Sequence, residues 1–281
     1  MKVTWVSKGL LATVLLIIAA LAMATPQRVR DQAEASMVLT GEIRVDAEGK
    51  VTGYAIDHED KVPGYVSSSL ATAIPDWRFK PVLVGGKAMP ARARMSLRML
   101  ARPTGKDAYA VSIAGSTFGD SAAQETDQVR RGRMQPPEYP HDLIVTGGQG
   151  TAYLVLKIGR DGSVEDAIVE RVNLTVYSSE PQMKRFRRRL GDAAVKAARR
   201  WAFVPPTTGE LVDEPFWSVR VPVDFKLGDR KIAYGQWKAY LPGTSQRAPW
   251  LEADDAGNDA LADGAIQTVG TGLVLLTSLQ G

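Results

Sequence analysis

The chain has 281 residues, 44% hydrophobic and 23% charged, which fits a globular protein with one large domain or two of ordinary size. Its 35 basic and 31 acidic residues give a net charge of +4, too even a balance to indicate nucleic acid as a partner. The absence of cysteine excludes disulfides and thiolate metal sites, and 2 histidines leave little material for a histidine metal site or a catalytic relay.

The N-terminal segment predicts export. Lys2 and Lys8 precede an apolar run, Gly9 to Ala24, which ends in the letters AMA, the small-x-small pattern that a signal peptidase accepts. The run is shorter than the roughly 20 residues that a bilayer crossing needs. We predict that residues 1–24 are a signal peptide or an uncleaved membrane anchor, and that the remainder lies outside the cytoplasm.

Two stretches of the remaining chain repeat one pattern. Gly41 to Val51 and Gly150 to Val164 each read as an alternating strand, an acidic turn with glycine and a second strand. A helical stretch, a Trp-x-Phe-x-Pro motif and a closing strand follow in both. The motifs are Trp77-Arg78-Phe79-Lys80-Pro81 and Trp201-Ala202-Phe203-Val204-Pro205, and the closing strands are 91–100 and 216–227. The sequence predicts an α+β fold with two β-β-α-β units, each a small antiparallel sheet with one helix packed on it.

The helix of the second unit is strongly amphipathic. Its apolar side chains recur at spacings of three and four residues, and its opposite face is basic. The apolar positions are Met183, Phe186, Leu190, Ala194, Ala197 and Trp201, and the basic ones are Lys184, Arg185, Arg187, Arg188, Arg189, Lys196, Arg199 and Arg200. Two interpretations of the basic face stay open: a solvated surface, or contact with an acidic partner or anionic lipid.

These patterns divide the chain into five segments. They are the export segment 1–24, a degenerate first unit 36–101, a linker 102–135, the second unit 136–228 and an unassigned tail 229–281. The linker is rich in Gly, Ser, Thr and charge, and includes one short predicted strand at Ala108 to Ala114.

Four features follow one another between residues 136 and 227. They are Pro136-Pro137-Glu138-Tyr139-Pro140, the turn Gly159-Arg160-Asp161-Gly162-Ser163-Val164, the basic helix leading into the Trp201 motif, and the closing strand Val219 to Phe225. In this order and spacing, the set resembles the C-terminal domain of the TonB family of energy transducers. The first unit resembles the same domain more weakly and lacks the proline-tyrosine entrance.

The resemblance implies a periplasmic module that pairs its edge strand with an extended segment of an outer-membrane transporter or another envelope protein. In the family, an inner-membrane proton-channel complex supplies the energy. We therefore expect a TonB-like periplasmic protein in TonB-dependent transport, exported and either free or anchored in the inner membrane. The alternative is a periplasmic scaffold or interaction protein of the same fold without energy transduction. The apolar run lacks the family's histidine, and the long proline-rich spacer is missing. We expect no enzymatic activity, cofactor or metal.

The closing strand holds the candidate partner-binding residues. Apolar and other side chains alternate along it, which is typical of a half-buried strand. Pro222 cannot donate to a strand ladder, so the strand is expected at a sheet edge. Such an edge either captures an extended peptide or is blunted by proline and charge against aggregation. The predicted partner-binding residues are Val219, Arg220, Val221, Pro222, Val223, Asp224 and Phe225.

Overall fold

The computed structural model describes residues 32–105, 108–120, 126–229, 232–251 and 266–279. The predicted export segment 1–24 lies outside these residues, so the structure does not test it. Within the described part of the chain, no helix combines the length and apolarity that a membrane crossing requires.

The first unit is a long antiparallel sheet with one helix against it. Its elements are β1 (Glu34–Val45), β2 (Val51–Ile56), α1 (Gly64–Ala73), β3 (Val82–Val84), β4 (Lys87–Met89), β5 (Ala91–Gly105) and β6 (Ala108–Asp120). β1 lies between β2 and β5, and β5 continues the sheet to β6, while β3 and β4 form a separate hairpin. Val66 and Leu70 of α1 are buried in one core with alternate side chains of β1 and β5. This is the half-buried pattern that period-two alternation predicts.

The second unit has the same kind of architecture with a longer helix. Its elements are β7 (Arg130–Arg131), α2 (His141–Thr146), β8 (Gly150–Ile158), β9 (Val164–Leu174), α3 (Glu180–Ala198), β10 (Phe203–Val204) and β11 (Trp217–Phe225). The sheet order is β13-β11-β8-β9, where β13 (Gln267–Thr268) comes from the C-terminal tail. Phe186 and Leu190 of α3 pack on the sheet in a core that includes Leu154 and Val221. The predicted fold class is confirmed.

One local contact occurs in both units between the glycine turn and the Trp-x-Phe-x-Pro motif. The amide of Phe79 donates to the carbonyl of Gly49, and the amide of Phe203 donates to the carbonyl of Gly162, each over 2.8 Å. Both glycines have φ of +80°, a left-handed conformation that favours glycine. Both phenylalanine rings are buried. The Trp-x-Phe-x-Pro motif therefore connects the glycine turn to the core in both units.

Replacement of Gly162 by alanine is expected to lower the free energy of unfolding of the second unit by about 1–3 kcal/mol, since the backbone would be strained. A Cβ atom there would lie 2.1 Å from the carbonyl oxygen of Phe203. Urea denaturation followed by tryptophan fluorescence measures the loss. Gly147→Ala is the matched control, because that glycine also has positive φ but no atom within 4 Å of the added Cβ. Equal losses in the two variants would contradict the contact.

The segment predicted as a linker, 102–135, is largely sheet. β5 continues to Gly105, and β6 pairs with it over most of its length. The physical reason is that only the first half of β6 alternates apolar and small residues, with Tyr109, Val111 and Ile113, whereas Gly115 and Gly119 give the second half low strand propensity, so that half depends on the pairing with β5. The short strand predicted at Ala108 to Ala114 is the beginning of β6.

The tail, which the sequence left unassigned, connects the two units. β12 (Lys238–Tyr240) pairs with the start of β1, and the next residue, Leu241, forms a bridge with Leu174 of β9. β13 joins the second sheet, and Leu275 then bridges to Phe79 in the first unit. The tail therefore contributes strands to both sheets.

Candidate functional site

The predicted binding strand is β11, and its inner side is fixed along its whole length. β8 pairs with it from Trp217 opposite Ile158 to Phe225 opposite Gly150. Val219, Val221 and Phe225 are buried in the core beneath α3. These apolar side chains hold the strand in place. Because β8 occupies one hydrogen-bonding edge of β11 along its whole length, any strand addition must use the opposite edge, its outer side.

The outer side of β11 is defined by a hydrogen bond to the tail. The amide of Val269 donates to the carbonyl of Ser218 over 2.8 Å. In an antiparallel strand the amide and carbonyl of one residue point to the same side, and the side alternates from residue to residue. Arg220, Pro222 and Asp224 therefore direct their backbone groups outward as well. Pro222 has no N–H to donate, and because it faces outward, no hydrogen bond between β11 and β8 is lost.

β13 covers part of this outer side. Val219 pairs with Thr268 and Arg220 pairs with Gln267. Within the described residues, strand pairing on the outer side stops at Arg220, two positions before Pro222. The predicted edge is thus shared between a segment of the chain's own tail and a stretch beginning at Val221, in which Val221, Pro222 and Val223 are buried. Binding of a partner by these residues stays a prediction.

The side chain of Arg220 is not available to a partner. Its Nη2 lies 3.2 Å from Oε1 of Glu170, and the two side chains are 5% and 9% exposed. Val155 stands opposite Arg220 in the ladder and packs against Ala248 and Leu251 of the tail. The sequence placed Arg220 on the polar side of a half-buried strand. The correction is that the tail buries this side, and the ion pair with Glu170 compensates the buried charge.

Asp224 connects the strand to the first unit. The hydroxyl of Thr151 donates to its carboxylate, and the ammonium groups of Lys226 and Lys238 lie 2.6 Å and 3.5 Å from it. Lys238 belongs to β12, which pairs with β1. Asp224 therefore has a structural function, and its binding of a partner stays a prediction.

The proline-tyrosine entrance supports the far end of β11. The ring of Tyr139 lies edge-on to that of Phe225, with centroids 5.5 Å apart, and its hydroxyl donates to the carbonyl of Gly148 over 2.7 Å. Burial raises the pKa of Tyr139 to about 12, so the hydroxyl stays a neutral donor. Sequence reasoning used this motif for the family resemblance but missed its contact with the candidate strand.

The described residues contain no group of three or more His, Cys, Asp or Glu side chains placed to hold a metal ion. His58 packs edge-on against Tyr234 at 5.4 Å, and His141 begins α2. The expected absence of enzymatic activity stays a prediction.

The fold defines a class: a small α+β domain in which one amphipathic helix covers an antiparallel sheet with a partly paired edge strand. Protein tonB2 of Pseudomonas aeruginosa is 34% identical to this chain over 91 residues, which are 32% of this chain and 28% of that protein. The predicted TonB-type C-terminal domain is confirmed by this relationship, although the chain spans little more than a quarter of that relative's length. A solution NMR structure of a Pseudomonas aeruginosa TonB CTD aligns with 24% identity over 38% of this chain and 94% of that chain, with a TM-score of 0.25. No family model matches.

Proposed function

We propose that the second unit binds an extended segment of an envelope partner by strand addition at the outer side of β11. The protein would act in the periplasm in TonB-like transport across the outer membrane. An outer-membrane transporter is the preferred partner, and an inner-membrane proton-channel complex would supply the energy. The relationship to tonB2 supports the transport role.

One observation carries the binding mode. β13 pairs with just two residues of a strand that is nine residues long, and it stops before Pro222. A partner segment can replace β13 and pair along the strand, and beyond Arg220 it must also displace the residues that bury Val221, Pro222 and Val223. The backbone provides affinity, and the alternating side chains provide specificity.

Asp224→Pro tests the binding mode, because it removes an outward N–H while leaving the β8 ladder intact. Asp224→Ala is the matched control, since it loses the same carboxylate contacts but retains the N–H. A photo-crosslinker on Lys226→Cys is a unique label, because the chain has no native cysteine. We expect crosslinking to outer-membrane proteins in intact cells to fall about five- to tenfold in the proline variant, because a lost hydrogen bond costs about 1–1.5 kcal/mol.

Equal crosslinking in the two Asp224 variants, with both folded by circular dichroism, would contradict strand addition. A folded proline variant that loses crosslinking while the alanine variant retains it would support the proposal.

A second candidate function is a periplasmic scaffold without energy transduction. It is favoured by the tail, which supplies its own strand to β11 and buries Arg220. Deletion of the gene separates the two functions. Loss of energy-dependent uptake through an outer-membrane transporter would favour transport, and unchanged uptake would favour the scaffold. N-terminal sequencing of the mature protein adds a second criterion, because a chain that begins at Thr25 cannot transmit force from an inner-membrane anchor.

A further inference from the structure

The second unit has a surface that combines basic and exposed apolar side chains, which we name the α2–α3 patch. Its members lie on the solvent side of α3 and on the neighbouring short helix α2. They are His141, Ile144, Val145, Lys184, Arg185, Arg188, Arg189 and Lys196. This surface does not overlap the candidate strand β11 in sequence.

Asp142 holds the two helices of the patch together. Its Oδ2 lies 3.0 Å from Nη2 of Arg185, and its Oδ1 lies 2.9 Å from Nη2 of Arg189. The two guanidinium groups hold the pKa of Asp142 below its usual range, so the carboxylate is ionised at neutral pH. Arg188 lines the same open depression, and Asp192 on the same face of α3 also acts on Arg189, so three positive charges face two negative ones, a local excess of +1. Asp142 thus positions the arginines without neutralising them.

The apolar part of the patch is unusually exposed. Val145 is 75% exposed and Ile144 is 48% exposed, although both are large hydrophobic side chains. Their helix is fixed from below by Leu143, which is fully buried. Val145 follows Asp142 by three residues. The valine therefore lies on the same side of α2 as Asp142, whose carboxylate contacts Arg185 and Arg189.

We propose that the α2–α3 patch binds an anionic lipid bilayer. The basic groups would contact lipid phosphates, and Val145 and Ile144 would enter the interface between headgroups and acyl chains. Basic and apolar side chains presented together are what interfacial membrane binding requires.

The layout of the charges favours a bilayer over a small acidic ligand or an acidic peptide. The basic residues of the patch run from Lys184 to Lys196, a span of roughly 18 Å along the helix. Such a length fits an extended charged surface better than one anion. The exposed valine and isoleucine have no counterpart to bind on a purely acidic peptide, whereas a bilayer provides both charge and an apolar phase.

A single environment-sensitive fluorophore tests the proposal in the full chain. The label is placed on Val145→Cys, or on Ala71→Cys at an exposed position of α1 in the first unit as the control. Vesicles of phosphatidylglycerol and of phosphatidylcholine are the two probes. We expect a blue shift for the Val145 label with phosphatidylglycerol alone and none for the control label. Because each label reports its own surroundings, the apolar N-terminal run does not produce the signal.

Charge reversal tests the electrostatic contribution. In Arg188→Glu with Lys196→Glu, both changes avoid the Asp142 contacts, so α2 keeps its position. The control is Lys50→Glu with Lys61→Glu, which changes the net charge equally in the first unit. We expect the vesicle concentration for half-maximal shift to rise at least about thirtyfold in the first variant, because each lost basic residue removes about a fivefold factor and the two glutamates are repelled by the anionic bilayer in addition.

Three results would overturn the proposal: equal shifts with the two vesicle types, equal losses in the two charge variants, or binding of poly-glutamate without any vesicle-dependent shift. The last result would identify an acidic protein as the partner. None of them bears on strand addition at β11, which uses a different element.

Discussion

Replacement of Glu170 by alanine is expected to lower the free energy of unfolding of the second unit by about 3–5 kcal/mol. The variant leaves the guanidinium of Arg220 uncompensated at a position where the residue is 4% exposed. The tail covers this side of the sheet: the amide of Gln246 donates to the carbonyl of Glu170, and Ala248 packs on Val155, which stands opposite Arg220 in the ladder. Urea denaturation followed by circular dichroism measures the effect.

The matched variant combines Glu170→Leu with Arg220→Met. Both charges are then absent, and we expect stability within about 1–2 kcal/mol of the parent or above it, because no desolvated charge remains. If Glu170→Ala costs less than about 1 kcal/mol, water reaches Arg220 and the tail does not cover this face in solution.

Replacement of Trp201 by alanine is the second large effect, a loss of about 3–5 kcal/mol. Trp201 is 5% exposed, and its indole N–H donates to the carbonyl of Gln135 over 2.7 Å. The variant therefore removes core volume at the end of α3 and releases the segment that leads into the proline-tyrosine entrance. Thermal denaturation with hydrogen exchange measures both consequences.

Two variants separate the contributions of Trp201. Trp201→Phe retains most of the ring volume and should cost about 1–2 kcal/mol for the unpaired carbonyl. Trp77→Ala, at the corresponding position of the first unit, should increase exchange around α1 while the amides of α3 stay protected. Equal deprotection of both helices would mean that the units unfold as one, and the unit-specific expectation would be wrong.

Local patterns were sufficient for the elements that each unit builds from its own residues. The spacing of Met183, Phe186 and Leu190 predicts α3, and all three are buried. The alternation around Pro222 predicts β11, and the hydrogen bond from Val269 places the proline's missing N–H on the outer side. In these elements periodicity and packing agree, because one face meets the core.

The tail could not be predicted in the same way. β13 is two residues long, and its partner residue Val219 lies almost fifty positions earlier in the chain. No periodicity can appear over two residues, and such pairing is decided by the assembled sheet rather than by local preference. The burial of Arg220 follows from the same segment, so the sequence assigned it to a partner when Glu170 had already engaged it.

The residues that follow β13 form a short tether between this strand and the first unit. Thr268 is followed after five residues by Leu273, whose amide donates to the carbonyl of Phe118 in the first unit. Five extended residues span at most about 18 Å. If a partner strand displaces β13, the released segment stays within this distance of its anchor, at a high effective concentration for rebinding. The first unit thereby anchors the C-terminal end of β13, and the strand returns to β11 when the partner leaves.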